Sequence, residues 1–405
     1  MNEVKQWKKN FFTLWSGQAI SLLTSAIVQY AFIWYITDTT GSATALSIAT
    51  MIAYLPMAFL GPFAGSFVDR NNRKIIMMVA DGMIAITTLF AIVIAFGGSL
   101  PTWMIYMVIF VRSLGQTFHQ PCINAVTPLM VPLDYLAKAN GYTNALQSIS
   151  FILSPAISAA LYAIAPFWLI LSLDVVGAII GIGSVALTYI PRLLDEEEKP
   201  LMIFQDTKEG LQTLMSNKGL FYLVILVSVC QIFMIPIGTF FPLMSTEYFG
   251  KTISHAGLVE TLFAVGMLVG GLVLGLWGGT KNKMITIYGS VALFSIVTIL
   301  QGILPTNAFT VFAILSIVFG FCGPFFNATF MALMQDKIQP EYLGRVTSVS
   351  MSLMTLASPI GLALAAMYTN GFGVPSWFVL TGVVSLVVVG FGISVKSVRN
   401  LDKQV

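Results

Sequence analysis

The chain has 405 residues, 57% of them hydrophobic and only 9% charged, against roughly 25% charged in a soluble domain. That composition excludes a soluble globular protein and implies an integral membrane protein. A net charge of +3 spread over many turns gives no basic stripe for nucleic acid, and Cys122, Cys230 and Cys322, each in an apolar stretch, show no metal-ligand spacing and read as small buried hydrophobes.

Apolar runs long enough to cross a hydrocarbon core of ~30 Å, about 20 residues each, fall in chain order at 11–36, 44–68, 75–96, 102–126, 141–164 and 168–190. After a polar interval come 219–243, 256–279, 284–304, 308–333, 345–368 and 375–395. The first run follows MNEVKQWKKN and starts like a signal peptide, but its apolar part is too long and no small-residue cleavage site follows. The expectation is an all-α membrane protein of twelve transmembrane helices arranged as two pseudo-symmetric six-helix bundles: 1–190, a linker at 191–217, and 218–405. With the N-terminus placed in the cytoplasm, 18 of the 20 Lys and Arg residues fall on the cytoplasmic side, which predicts a multi-pass plasma-membrane protein with both termini cytoplasmic. The linker carries the acidic run Asp195–Glu198, read as a solvated face, and an amphipathic stretch around 204–214.

The halves repeat each other. Pro121, Asn124 and Ala125 recur as Pro324, Asn327 and Ala328; Ser154-Pro155 recurs as Ser358-Pro359; Gln29 matches Gln231; and Gly61, Gly65 and Asp69 align with Gly271, Gly275 and Gly279. Matches in cognate helices and in the same order are the internal symmetry of secondary transporters.

Within this frame a few polar residues stand out. The turn GSFVDRNNRK, 65–74, places one acid and three bases between apolar runs. Gly61, Gly65 and Asp69 recur every four residues on one helix face, where small residues allow close helix approach. Arg112 lies about ten residues into the fourth run, where an unpaired charge costs at least ~2.5–3.5 kcal/mol. Arg112, Gly115, Gln116 and His119 share one polar face, and Gln18, Ser21, Ser25 and Gln29 form a matching stripe on the first run. Such faces must meet one another or water, which predicts a central aqueous cavity. Ser228, Gln231, Pro324, Asn327 and Met331 from the second half are expected to contribute to it, with Phe233, Met234, Phe325 and Phe326 nearby; of these, Gln231, Phe325 and Asn327 are the candidate lining residues. Amides mixed with aromatics and Met suit a large amphipathic small molecule.

Three acids within apolar runs, Asp81, Asp174 and Glu260, are candidates for carrying a proton together with Arg112, since burial disfavours a charged carboxylate. Asp81 has an alternative as a structural partner of Arg70 and Arg73. Asp174 is the better relay, with Arg112 at comparable depth. Gly181-x-Gly183-x-x-Ala186 matches a dinucleotide fingerprint by letters but has no preceding strand, and Gly250-Lys251-Thr252 lacks the first glycine of a phosphate loop. No nucleotide, metal or other cofactor is therefore expected; an ATP-binding partner protein stays open. With two histidines, His119 and His255, and no clustered acids in the membrane, no catalytic constellation of an enzyme is found.

The 65–74 turn resembles the loop between helices 2 and 3 of the major facilitator superfamily, and RSLGQTFHQP resembles its helix 4 motif. WSGQAISLLTSAIVQYAFIWYITDTTGSA, FVDRNNRKIIMMVAD, FVRSLGQTFHQPCINAVTPLMVP and GYTNALQSISFILSPA are similar to the macrolide-efflux branch of its drug:proton antiporters. The resemblance implies proton-driven export of amphipathic drugs such as macrolide antibiotics, with a metabolite or siderophore exporter as the alternative and a membrane sensor or enzyme as a third class. It also implies a gating motif of Gly61, Gly65, Asp69, Arg70 and Arg73, in which the Asp69 carboxylate latches near Arg345 and Thr347. Many relatives that export cationic drugs carry an acid in helix 1, where this chain has Gln29.

Overall fold

The computed structural model describes residues 2–190, 203–399 and 401. Its long helices follow the apolar runs: α1 (Asn2–Thr40), α2 (Ala43–Arg70), α3 (Arg73–Gly97), α4 (Thr102–Met130), α5 (Leu133–Ile164) and α6 (Phe167–Leu187). A short α7 (Ile203–Ser216) precedes α8 (Lys218–Leu243), which runs into a π-helical turn at Met244–Tyr248. Then come α9 (Ile253–Trp277), α10 (Lys283–Ile303), α11 (Phe309–Lys337), α12 (Pro340–Phe372), α13 (Val374–Ser394) and a last turn, α14 (Lys396–Arg399).

Eleven helices among the described residues are long and apolar enough to cross a membrane. The twelfth, α4, is 29 residues long and differs in carrying Arg112, Gln116, His119 and Gln120. Three helices start earlier than the apolar runs suggest: α1 at Asn2, α5 at Leu133 and α12 at Pro340. Apolar counting registers only the part of a helix inside hydrocarbon, and α12, with 33 residues, is about 50 Å long. Large exposed apolar side chains, such as Leu276, Ile164 and Phe96, form the surface such a protein turns to lipid.

By their contacts the residues form two compact units, Met1–Thr39 with Ile52–Leu201, and Thr40–Met51 with Met202–Val405. In unit 1, α3 packs against both α4 and α6. Gly17, Gly177 and Gly181 bring α1 and α6 together: a Cβ on Gly177 would lie 1.9 Å from the Thr24 hydroxyl, and one on Gly17 would lie 2.2 Å from the Ser184 Cβ. With no hydrophobic drive between helices in lipid, such fits decide which helices touch.

Unit 2 pairs α9 with α11, α10 with α13, and α8 with α12. At the α8–α12 crossing, Pro236 cannot donate the backbone hydrogen bond that the Ile232 carbonyl would accept. A Cβ on Gly361 would lie 1.9 Å from that oxygen, so the two backbones meet where the ladder is broken. Thr44 and Thr50, in the first turns of α2, bond to Asn370 at 2.9 Å and to Thr239 at 3.4 Å.

The repeat between halves survives in the caps. Asn72 accepts from the Lys74 N–H at the start of α3, and Asn282 accepts from the Met284 N–H at the start of α10. Where Asp69 stands inside the last turn of α2, its counterpart Gly279 lies beyond the end of α9 at φ 79°, next to Gly278 at φ 75°. That left-handed conformation, which glycine alone adopts cheaply, accounts for the missing acid. Lys74 bonds to the carbonyls of Ala186 and Thr188 at the end of α6, placing a cation at a helix C-terminus.

The amphipathic stretch of the linker is α7, while Asp195–Glu198 lies outside the described residues. Leu214 is buried in the unit 2 core, and the Gly210 Cα sits against α12. Glu209 accepts from Arg345 at 2.6 Å. Both side chains of this pair are about a third or more exposed, so its loss is expected to cost under about 1 kcal/mol. Gly210→Val should cost more, about 1–3 kcal/mol, because the new Cβ would lie 2.8 Å from the Arg345 carbonyl oxygen. Detergent melting of Glu209→Gln beside Gly210→Val measures that order.

Candidate functional site

The most unusual chemistry in unit 1 is a buried ion pair. Arg112 of α4 and Asp174 of α6 are each 1% exposed and joined through Nη1 and Oδ2. Around them every helix that can reach contributes. Ser25 of α1 donates to Asp174 Oδ1 at 2.6 Å and its carbonyl accepts from Arg112 Nη2 at 2.9 Å. Thr88 of α3 donates to Asp174 Oδ2 at 2.9 Å. The guanidinium carbon lies 5.9 Å from the centre of the Phe32 ring, a cation–π distance. The carboxylate thus has three donors, and these bonds offset part of the desolvation of both charges, while Arg112 Nε has no hydrogen-bond partner among the described residues.

This corrects the expected role of Arg112. It does not line an open chamber but is neutralised inside the six-helix unit. The polar face of α4 divides: Arg112 and Gly115 are buried, His119 is mostly so, and Gln116 is exposed. A Cβ on Gly115 would lie 3.3 Å from the Ala80 carbonyl, so α3 occupies the side assigned to the cavity.

His119 turns to Asp81 of α3, with Nε2 3.4 Å from Oδ1. Asp81 is therefore paired with a histidine. Neighbouring polar groups are neutral: Gln18 donates to the Gly181 carbonyl at 3.3 Å, and Ser184 donates to the same oxygen at 2.7 Å. Gln29 is half-buried on α1.

In the expected gating motif, Asp69 and Arg70 end α2, but their side chains lie outside the described residues; Arg73 opens α3. A Cβ on Gly61 would meet only Met57 of its own helix, at 3.8 Å, and one on Gly65 would meet nothing within 4 Å. Neither glycine is a close-approach point within unit 1. Arg345, expected beside Asp69, is held by Glu209.

Unit 2 contains a cavity of about 120 Å³ between α8, α10, α11 and α13. Gln231 and Asn327 line it, joined by Cys230, Met234, Tyr288, Phe294, Cys322 and Phe326. Phe325 is absent from this lining: it packs against Phe321 and Trp277, with ring centres 4.9 and 6.2 Å away. One residue along α11 turns a side chain by 100°, so Phe326 faces this cavity and Phe325 does not. All three cysteines are buried and outside any disulfide. Glu260, 8% exposed on α9, makes no salt bridge among the described residues.

The sequence profile of the Major Facilitator Superfamily matches residues 14–252 and 221–401. The chain belongs to this superfamily and is a multi-pass membrane transporter, not an enzyme. Within it the chain falls with drug-efflux proteins: it is 42% identical over 404 residues to "Macrolide efflux protein A" of Streptococcus pyogenes, covering 99% of this chain and 100% of that one. A protein of the same name from Enterococcus faecalis is 43% identical over 80% of this chain and 100% of its own. The "Multidrug efflux pump Tap" of Mycobacterium bovis is 23% identical over 88% of each chain. Among solved structures, the nucleoside transporter NupG superposes with a TM-score of 0.70 at 14% identity, over 96% of this chain and 98% of its own; a likeness this distant establishes the fold alone.

Proposed function

We propose that this protein is a proton-driven exporter of amphipathic drugs, macrolide antibiotics among them, working by alternating access in the plasma membrane with both termini cytoplasmic. Its working halves are 1–190 and 218–405, joined by the 191–217 linker. The observation that carries the reading is the 42% identity to a macrolide efflux protein along 99% of the chain. The distribution of Lys and Arg supports the orientation. Apart from protons and the bilayer, the partner is a small amphipathic molecule.

The Arg112–Asp174 pair supports the coupling. Paired, the two charges cancel in a dry interior. A proton on Asp174 leaves the guanidinium uncompensated there, which penalises that arrangement and favours one that gives Arg112 water or another partner. Loss of the proton restores the pair. A charge cost of this kind links proton occupancy to conformation without any cofactor.

The cavity in unit 2 supports a cargo with an apolar arm. At about 120 Å³ it is below the ~300–1,000 Å³ of a site that encloses a drug-sized molecule, so it would take one substituent of a larger ligand. Gly323 lines it, and a Cβ there meets nothing within 4 Å. Gly323→Leu should therefore fill the cavity with little loss of stability while lowering macrolide resistance several-fold in a sensitive host, measured as growth inhibition. Wild-type expression that protects against no macrolide would reject the cargo and favour a metabolite or siderophore exporter of the same fold.

A further inference from the structure

Four helices of unit 1 place polar groups at two levels, and the spacing is the same on each. Ser25, Thr88, Arg112 and Asp174 form the ion-pair level; Gln18, Asp81, His119 and Gly181 form the other, each seven residues away on its own helix. Seven residues are two helical turns, about 10.5 Å. The second level lies nearer the start of α3, between the ion pair and the chain's GSFVDRNNRK turn.

The two levels differ in how well they are satisfied. Asp174 has three donors, whereas Asp81, 6% exposed, has Oδ2 without a hydrogen-bond partner, and His119 Nε2 also lacks one. Their approach of 3.4 Å is longer than a good hydrogen bond. Among the described residues, the groups facing them are neutral: Gln18 and Ser21 from α1, and Gly181 and Ser184 from α6. Gly181 leaves the room, since a Cβ there would lie 3.2 Å from Asp81 Oδ2. The nearest cations along α3 are Arg73 and Lys74, seven or eight residues away, and the Arg112–Asp174 pair is internally neutral.

With the carboxylate ionised and the imidazole neutral, this level would hold a buried negative charge that no described residue compensates, an expensive state. One proton removes that charge. Imidazole is the side chain whose charge changes near neutral pH. We propose that Asp81 and His119 together form a second proton-binding pair, which exchanges protons between the Arg112–Asp174 pair and the aqueous phase at the start of α3. On loading, the O–H bond of protonated Asp174 breaks, water carries the proton across the two turns between the levels, an N–H bond forms at His119 Nε2, and the imidazolium donates to the Asp81 carboxylate. On release, that N–H bond breaks and the proton passes to water, returning the pair to its starting charge. This rests on the proton-antiport reading above and adds to it a named exit path.

The chain has two histidines, so His255→Gln leaves His119 as its only imidazole. In that full-length protein, labelled with [15N]histidine in detergent, the imidazole should pass between its neutral and imidazolium forms as the pH is varied. Asp81→Asn should change the pH at which it does so. A single imidazole form throughout, or an interconversion unmoved by Asp81→Asn, would overturn the proposal. In proteoliposomes, Asp81→Asn and His119→Gln should each slow drug flux driven by a proton gradient by about tenfold or more and flatten its pH profile, with drug-for-drug exchange retained. If the wild type shows gradient-driven flux and both variants match it, this pair is not on the path. If the wild type shows no such flux, the antiport reading itself fails.

Discussion

Arg112→Met alone should lower the stability of the protein by about 3–5 kcal/mol, the cost of leaving a buried partner uncompensated, and Asp174→Leu alone should do the same. The double variant should recover most of that loss, because replacing a buried ion pair by apolar groups of similar size is often neutral or stabilising by about 1–4 kcal/mol. Gradient-driven drug transport should stay absent in all three. Detergent melting curves and vesicle transport on the same four proteins provide the check. Recovery of stability without recovery of transport separates a working charge pair from a structural one; recovery of both would assign the pair to folding alone.

The second large effect concerns how unit 2 holds together. A Cβ on Gly320 would lie 2.0 Å from the Phe263 carbonyl oxygen, and one on Gly266 would lie 2.0 Å from that of Ile317. Both obstacles are backbone, which cannot rotate away, so α9 and α11 would have to separate. Gly320→Ala should exceed the ordinary overpacking cost of about 1–3 kcal/mol and lower the yield of folded protein. Gly271→Ala and Gly275→Ala, where a new Cβ meets nothing within 4 Å, should stay within about 0.5 kcal/mol of the wild type. Similar melting temperatures for all of these variants would show that the α9–α11 approach is looser than described.

These two cases also mark what the sequence could and could not convey. Span number and helical fold were legible because hydrocarbon thickness dictates the length of each apolar run. The depth match between Arg112 and Asp174 was legible too, since charge inside a span must find a partner. What a helical stripe cannot state is which neighbour it faces. Arg112, Gln116 and His119 read as one cavity-lining face, yet α3 and α6 claim Arg112 and His119, and Gln116 stays exposed. The same ambiguity covers Phe325 and Phe326, of which Phe326 lines the cavity inside unit 2.

Small residues carried a similar ambiguity. The repeat drew attention to Gly271 and Gly275, but the close approach falls at Gly266 and Gly270, and on α11 at Gly320. Thr88 and Phe32 complete the Arg112–Asp174 level, yet in a sequence they are an ordinary threonine and phenylalanine; only the packing of α3 and α1 around the pair gives them that role.

The central claim is that proton occupancy of the Arg112–Asp174 pair drives export. Inverted vesicles holding the protein, acidified inside and reporting their pH through a dye, test it most directly. Adding a macrolide should dissipate the gradient with the wild type, and should fail to do so with Asp174→Asn even though that variant still exchanges labelled for unlabelled drug. Gradient dissipation by Asp174→Asn at the wild-type rate would contradict the account.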